Sequence, residues 1–221
     1  MNCIKSYCRI VPGRVLLDGE VFFESDGTPY IMHDFLSAVY ERLESGYRKF
    51  YKMDALSKLG FLASELLLDG IDREKPKEDM GIVFFNRSGS LEADHKYQQT
   101  IQDKNDFFPS PADFVYTLPN IVTGEISIRN KMYGETAFHI MADFQCDAVC
   151  EVIDDMIHYG GMKYVLGGWT EVDMTSGMLS CFMVFCETGL TGGSGSDVYF
   201  SKKSPEIPLV TGSVNELYNK Y

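Results

Sequence analysis

Residues 136–169, TAFHIMADFQCDAVCEVIDDMIHYGGMKYVLGGW, decide the fold. Thr136 to Met141 alternates apolar and polar side chains, the period of a strand. Asp143 has the side chain of a helix cap, and after it Val149, Val152, Ile153 and Met156 recur at the spacing of one helical stripe. His158 falls in the last turn, and Gly160-Gly161 ends the helix. Met162 to Trp169 then reads as a second strand. A strand, a helix and a strand in this order form a crossover unit, which lays the helix over a sheet containing both strands.

Outward from this unit the same layering repeats. Downstream, the turn-rich Asp173 to Ser176 leads to a strand over Gly177 to Cys186. Upstream, residues 112–130 have helical spacing broken by Pro119 and Gly124, so a kinked or broken helix is expected. Phe107-Phe108-Pro109-Ser110-Pro111 interrupts the chain, and a helix is expected near Leu91 to Ile101. Gly81 to Phe85 is a continuous apolar run, as in a strand buried on both faces. The charged segment 71–79 reads as an exposed connection. Asp54 caps a helix that runs to Asp69-Gly70 and is apolar around most of its circumference, hence buried. A helix over 35–46 and a hairpin over 14–23, turning at Asp18-Gly19, complete the N-terminal part. The expected fold is α/β: a mixed central sheet covered by helices in α-β-α layers, one domain over 1–190. The stretch 191–221 is expected to be a Gly/Ser linker, densest at 191–196, and a polar C-terminal tail.

Composition narrows the function. Of 221 residues, 45% are apolar and 24% charged, which excludes wholesale disorder. The net charge of −12 repels phosphate backbones and anionic headgroups, so neither nucleic acid nor membrane is expected as a partner. No apolar run approaches the length of a membrane span, and the N-terminus lacks the apolar stretch of a signal peptide, so a cytoplasmic location is expected. The six cysteines form no CxxC pair and are expected to be reduced and mostly buried; no metal or other cofactor is indicated.

From Lys52 to Trp169 an ordered set of landmarks resembles the N-terminal half of the β-ketoacyl synthases, within the thiolase-like group. Lys52-Met53-Asp54 before the buried helix is the first of them. Gly81-Ile82-Val83 with Gly89 and Glu92 follows. Then come Pro111, Leu118-Pro119-Asn120, Gly124, Ile126, Ile128-Arg129 and Gly134, and finally Val165-Leu166-Gly167-Gly168 with Glu171. The resemblance implies a thiolase-like half and a family activity of β-ketoacyl-ACP synthase, an acyltransfer and condensation.

Two departures alter that expectation. Where the family ends its active-site strand at a cysteine, an ungapped count from Gly134 places Asp143, which lacks the nucleophilicity of a thiolate. Cys146, three residues on, is the alternative nucleophile; counted as one turn inside the helix with Cys150 on the same face, it reads as a packing residue. The family's second half supplies two catalytic histidines, whereas only 35 residues follow Cys186 and none is histidine. His33, His95, His139 and His158 all read as structural.

The resemblance then implies a subunit without condensing activity of its own, of the chain-length-factor type. Its partner would be a full-length β-ketoacyl synthase, in fatty-acid-like, polyketide or aryl polyene biosynthesis. The strand at 136–141 lies at the dimer interface in the family, so Phe138, Ile140, Phe107, Phe108, Phe114, Tyr116, Met132 and Tyr133 are the candidate interface. A monomeric core is the other reading of these residues. Phe144 either limits an acyl pocket or fills it. Arg48, Lys49, Lys52 and Lys58 are the candidate face for an acyl carrier protein, or else a solvated helix edge. The alternatives are catalysis through Cys146 and a homodimeric acyl-binding scaffold.

Overall fold

The computed structural model describes residues 1–26, 30–173, 175–189 and 207–220. The linker expected at 191–196 lies outside them. In chain order the elements are β1 (Cys3–Val11), β2 (Arg14–Leu17), β3 (Glu20–Glu24), α1 (Met32–Leu43) and α2 (Ala55–Leu67). They continue with β4 (Met80–Asn86), α3 (Leu91–Gln99), α4 (Pro111–Val115), α5 (Ile121–Asn130) and β5 (Thr136–Ile140). The last are α6 (Cys146–His158), β6 (Tyr164–Asp173), β7 (Met178–Glu187), β8 (Ile207–Pro208) and α7 (Thr211–Asn219).

The strands join one mixed sheet in the order β3-β2-β1-β7-β6-β4-β5, with β8 paired to the start of β1. β4 runs parallel to both β5 and β6, while the other pairs are antiparallel. Both faces are covered. Ile82 and Phe84 of β4 point into a core shared with α1, α2 and α5, and Val83 and Phe85 into a second core shared with α6 and α7. The period of two along the strand thus feeds both layers, which is why the 81–85 run is apolar throughout.

α2 is the helix most enclosed by protein. Asp54 caps it by accepting from the Ser57 amide at 3.0 Å. A side chain at Gly60 would put its Cβ 2.6 Å from Val122 and 2.9 Å from Phe84, so glycine here lets α2 lie close to both α5 and the sheet. Glu65, on the same helix, is buried but meets Arg73 at 3.1 Å and Arg129 at 3.4 Å, an arrangement that compensates its desolvation. The Lys77 ammonium is also buried and donates to the carbonyls of Asp72, Lys75 and Asn130, which ties the 72–77 connection to the end of α5.

Several expectations need correction. Residues 207–219, expected within a polar tail, are a strand and a helix packed on the sheet: Leu209, Val214 and Leu217 are buried in the second core. β1, for which no strand was expected, lies inside the sheet between β2 and β7. A bulge between Ile4 and Ser6 moves its alternation by one residue, so Ile4 and Tyr7 face one core and Cys8 and Ile10 the other. The 112–130 region is broken into α4 and α5, with Leu118 to Asn120 between them. All six cysteines are unpaired, and four of them are buried.

Candidate functional site

The helix α6 begins at Cys146, and its cap residue is Gln145, which makes no side-chain cap bond. Asp143 is therefore not the cap: it sits exposed in a bend three residues earlier. Phe144 accounts for the delay. Its ring turns inward to stack on Tyr218 of α7 at 4.0 Å, and meets Phe182 edge-on at 5.8 Å and Trp169 at 6.2 Å. The Arg9 guanidinium also lies over the Tyr218 ring, 4.4 Å from its centre. The space beside Phe144 is filled by this aromatic cluster.

Cys146 is the first helical residue, not one turn inside as counted from the sequence. Its thiol donates to Asn215 Oδ1 at 3.7 Å, across the contact with α7. Burial, and then the charge of Asp147, raise its pKa above the usual thiol value. This opposes the lowering that a helix N-terminus gives a nucleophilic cysteine. Cys150, one turn on, is pushed up to about 12, chiefly by burial. The imidazoles lie elsewhere. His139 stacks on Phe85 at 5.1 Å, His158 meets the Asp154 carbonyl at 2.9 Å, His95 meets Gln99, and His33 is exposed on α1.

β5 closes the sheet order at one end, with β4 as its neighbour on the other side. Phe138 is half-buried against the first core, and Ile140 is 56% exposed. Phe107, Phe108, Phe114 and Tyr133 are exposed, Phe108 to 77%. Met132 does not join them: it is buried in the first core, because its strand-like bridge to Lys77 draws it under the sheet. Tyr116 is half-buried against that core.

The four candidate basic residues do not form one face. Arg48 and Lys52 are exposed at a 3-10 turn, Lys49 pairs with the buried Glu125 at 2.7 Å, and Lys58 is buried on α2. No helix is long and apolar enough to cross a membrane, and no cluster of three or more His, Cys, Asp or Glu could hold a metal ion, among the described residues. Missed by the sequence reading were Asn215 and Tyr218, whose short polar segment carries only Val214 and Leu217 as an apolar signal.

No protein-family model matches the chain, and no curated protein sequence matches it. Solved structures do. "The ishigamide ketosynthase/chain length factor" matches with a TM-score of 0.60 at 15% identity, over 85% of this chain and 62% of that one. The ketosynthase ApeO in complex with its chain length factor ApeC, from Xenorhabdus doucetiae, gives 0.52 at 15% identity, over 85% and 79%. AntDE:AntF, a type II polyketide synthase acyl-carrier protein in complex with its ketosynthase, gives 0.53 at 15% identity, over 85% and 62%. The chain thus spans less than two thirds of the first and third of these. At such identity the likeness is one of architecture: the chain has the thiolase-like fold of the ketosynthases and chain length factors.

Proposed function

We propose that the chain is a ketosynthase-like subunit of the chain-length-factor type, without condensing activity of its own. It pairs with a full β-ketoacyl synthase in polyketide, fatty-acid-like or aryl polyene biosynthesis. The observation that carries this reading is the edge of β5, open among the described residues, with exposed Ile140, accompanied by the exposed rings of Phe107, Phe108, Phe114 and Tyr133. An unpaired strand edge presents free amides and carbonyls, and exposed apolar side chains gain by being covered. The structural neighbours include ketosynthases solved with chain length factors, and one with an acyl-carrier protein.

Condensation requires a covalent acyl acceptor and donors for the developing oxyanion. Asp143 offers no thiolate, and the Cys146 thiol, its pKa raised by burial and by Asp147, is turned to Asn215. The outer side of α6 also favours pairing through β5: Asp147, Glu151 and Asp155 are exposed there, a solvated acidic surface that resists burial under another protein layer. Carrier-protein docking would fall to Arg48 and Lys52, since Lys49, also exposed, is held by Glu125 and Lys58 is buried.

Co-expression with a full-length ketosynthase tests the reading. The wild-type chain should co-purify, and Ile140→Asp with Phe108→Asp should abolish co-purification while leaving the circular dichroism spectrum unchanged. A chain that native mass spectrometry finds monomeric with every ketosynthase tried would refute it, and a homodimer would favour self-pairing at the same edge.

A further inference from the structure

β8 and α7 are joined to the rest of the protein by a small set of contacts. β8 pairs with Cys3 and Ile4 at the start of β1, and the Leu209 amide donates to the Asn2 carbonyl at 2.9 Å. Of the nine residues of α7, Val214 and Leu217 are buried. Its cap position, Val210, makes no side-chain cap bond, and Thr211, Gly212, Ser213 and Asn215 are weak helix formers. A helix so short and so composed does not persist away from the surface on which it lies.

That surface is the head of α6 and the aromatic cluster beside it. Thr211 Oγ1 donates to Asp147 Oδ1 at 2.5 Å, the Thr211 side chain hydrogen-bonds the Cys150 thiol, and Asn215 accepts from Cys146. Tyr218 stacks on Phe144, meets Phe182 edge-on at 5.6 Å and lies under the Arg9 guanidinium. Cys150 is thereby reduced to 6% exposure. One cost opposes the covered state: Arg9 Nε and Nη1 are buried and make no hydrogen bond among the described residues. Water would satisfy both once the Tyr218 ring moved away.

We propose that β8 and α7 form a strap that opens and closes over the head of α6 while the rest of the sheet stays folded. Closed, it hides Cys150, engages Cys146 and covers the rings of Phe144 and Phe182. Open, it presents both thiols and those rings to solvent. Few buried apolar side chains and unsatisfied guanidinium nitrogens under the strap place its opening well below global unfolding in free energy. The strap and the pairing at β5 are independent, so the failure of either leaves the other standing.

Pulse labelling of the full chain with iodoacetamide, from zero to sub-denaturing urea and read by peptide mapping, tests the strap. Cys150 is the reporter, and Cys181, fully buried in the first core, is the control; burial pushes both thiols up to about 12. Cys150 should be labelled at least tenfold faster than Cys181 and with a shallower dependence on urea, because lifting a strap exposes less surface than unfolding the chain. Leu217→Ala should accelerate labelling of Cys150 at least tenfold. Labelling of Cys150 and Cys181 at one rate and with one urea dependence would overturn the proposal, since the segment would then leave only when everything unfolds. So would a Cys150 rate untouched by Leu217→Ala, which would locate the opening in α6 itself.

Discussion

Asp54 and Glu92 carry a pH dependence whose direction follows from their surroundings. Burial raises both pKa values, and the charge of Asp54 raises Glu92 further. The folded chain therefore takes up protons that the unfolded chain, with ordinary values of 3.8 and 4.5, has not yet bound. Stability gains as pH falls from the raised folded values toward those ordinary ones, where the gain is complete. Asp113 works in the opposite direction: held low by Lys96 and Ser110, it contributes stability that is lost as pH falls through its depressed folded value. Urea midpoints of wild type and Glu92→Gln, measured from pH 7 down to 4, should diverge, with the variant showing the smaller gain on acidification. Parallel profiles would contradict this. At the same scale, Cys146 should react with iodoacetamide at neutral pH several-fold more slowly than free cysteine, since burial and Asp147 suppress its thiolate. Intact mass over time with Cys3 replaced by serine measures this, and rapid single alkylation would restore Cys146 as a catalytic candidate.

Among the elements, β6 and β7 pair at Gly168, which lies opposite Met183. A Cβ there would stand 2.1 Å from the Phe182 carbonyl oxygen and 2.7 Å from Met183 Cα, both backbone, at φ +154. No rotamer relieves such a contact. Gly168→Ala should cost about 3 kcal/mol, a fall of roughly 6–12 °C in melting temperature by differential scanning calorimetry. A variant melting with the wild type would show that the strands can part here at no cost.

Elements of this central kind were legible in the sequence because their pattern is strong. β4 is apolar throughout, α2 is apolar around its circumference, and the β5–α6–β6 unit shows a change of period from two to 3.6 and back. β1 was not legible because its bulge breaks the alternation on which a strand is recognised. α7 offers two apolar positions in nine residues, and its helix is defined by what it packs on. The start of α6 was misread because Asp143 has a cap's chemistry, whereas Phe144's burial sets the geometry. At the sites, Lys58 was read as a surface charge although the helix that bears it was read as buried. The buried position prevails because α1, α3 and α4 close over that side of α2. The exposed aromatics were legible as residues, but whether each is core or surface depends on tertiary placement, as Met132 illustrates.

At the scale of the molecule, α7 and β8 complete the second core. A chain ending at Gly189 would lose the burial of Leu209, Val214 and Leu217 and would uncover Phe144 and Phe182. The transferred area is worth roughly 5 kcal/mol as an upper estimate. Trp169, the one tryptophan, lies against Phe144 and reports the change: its emission should move to longer wavelength in the shortened chain. An unchanged spectrum would mean that the C-terminal segment contributes nothing to the core.

The enclosure of α2 bears on how the polypeptide is made. Twelve of its thirteen residues are buried, and much of what buries them is β6 and β7, synthesised roughly a hundred residues later. During translation this greasy segment leaves the ribosome before its sheet exists, and hydrophobic nascent segments of this kind are ones that chaperones bind. Recovery of soluble protein should accordingly be governed by the interval between the birth of α2 and the arrival of its last strands.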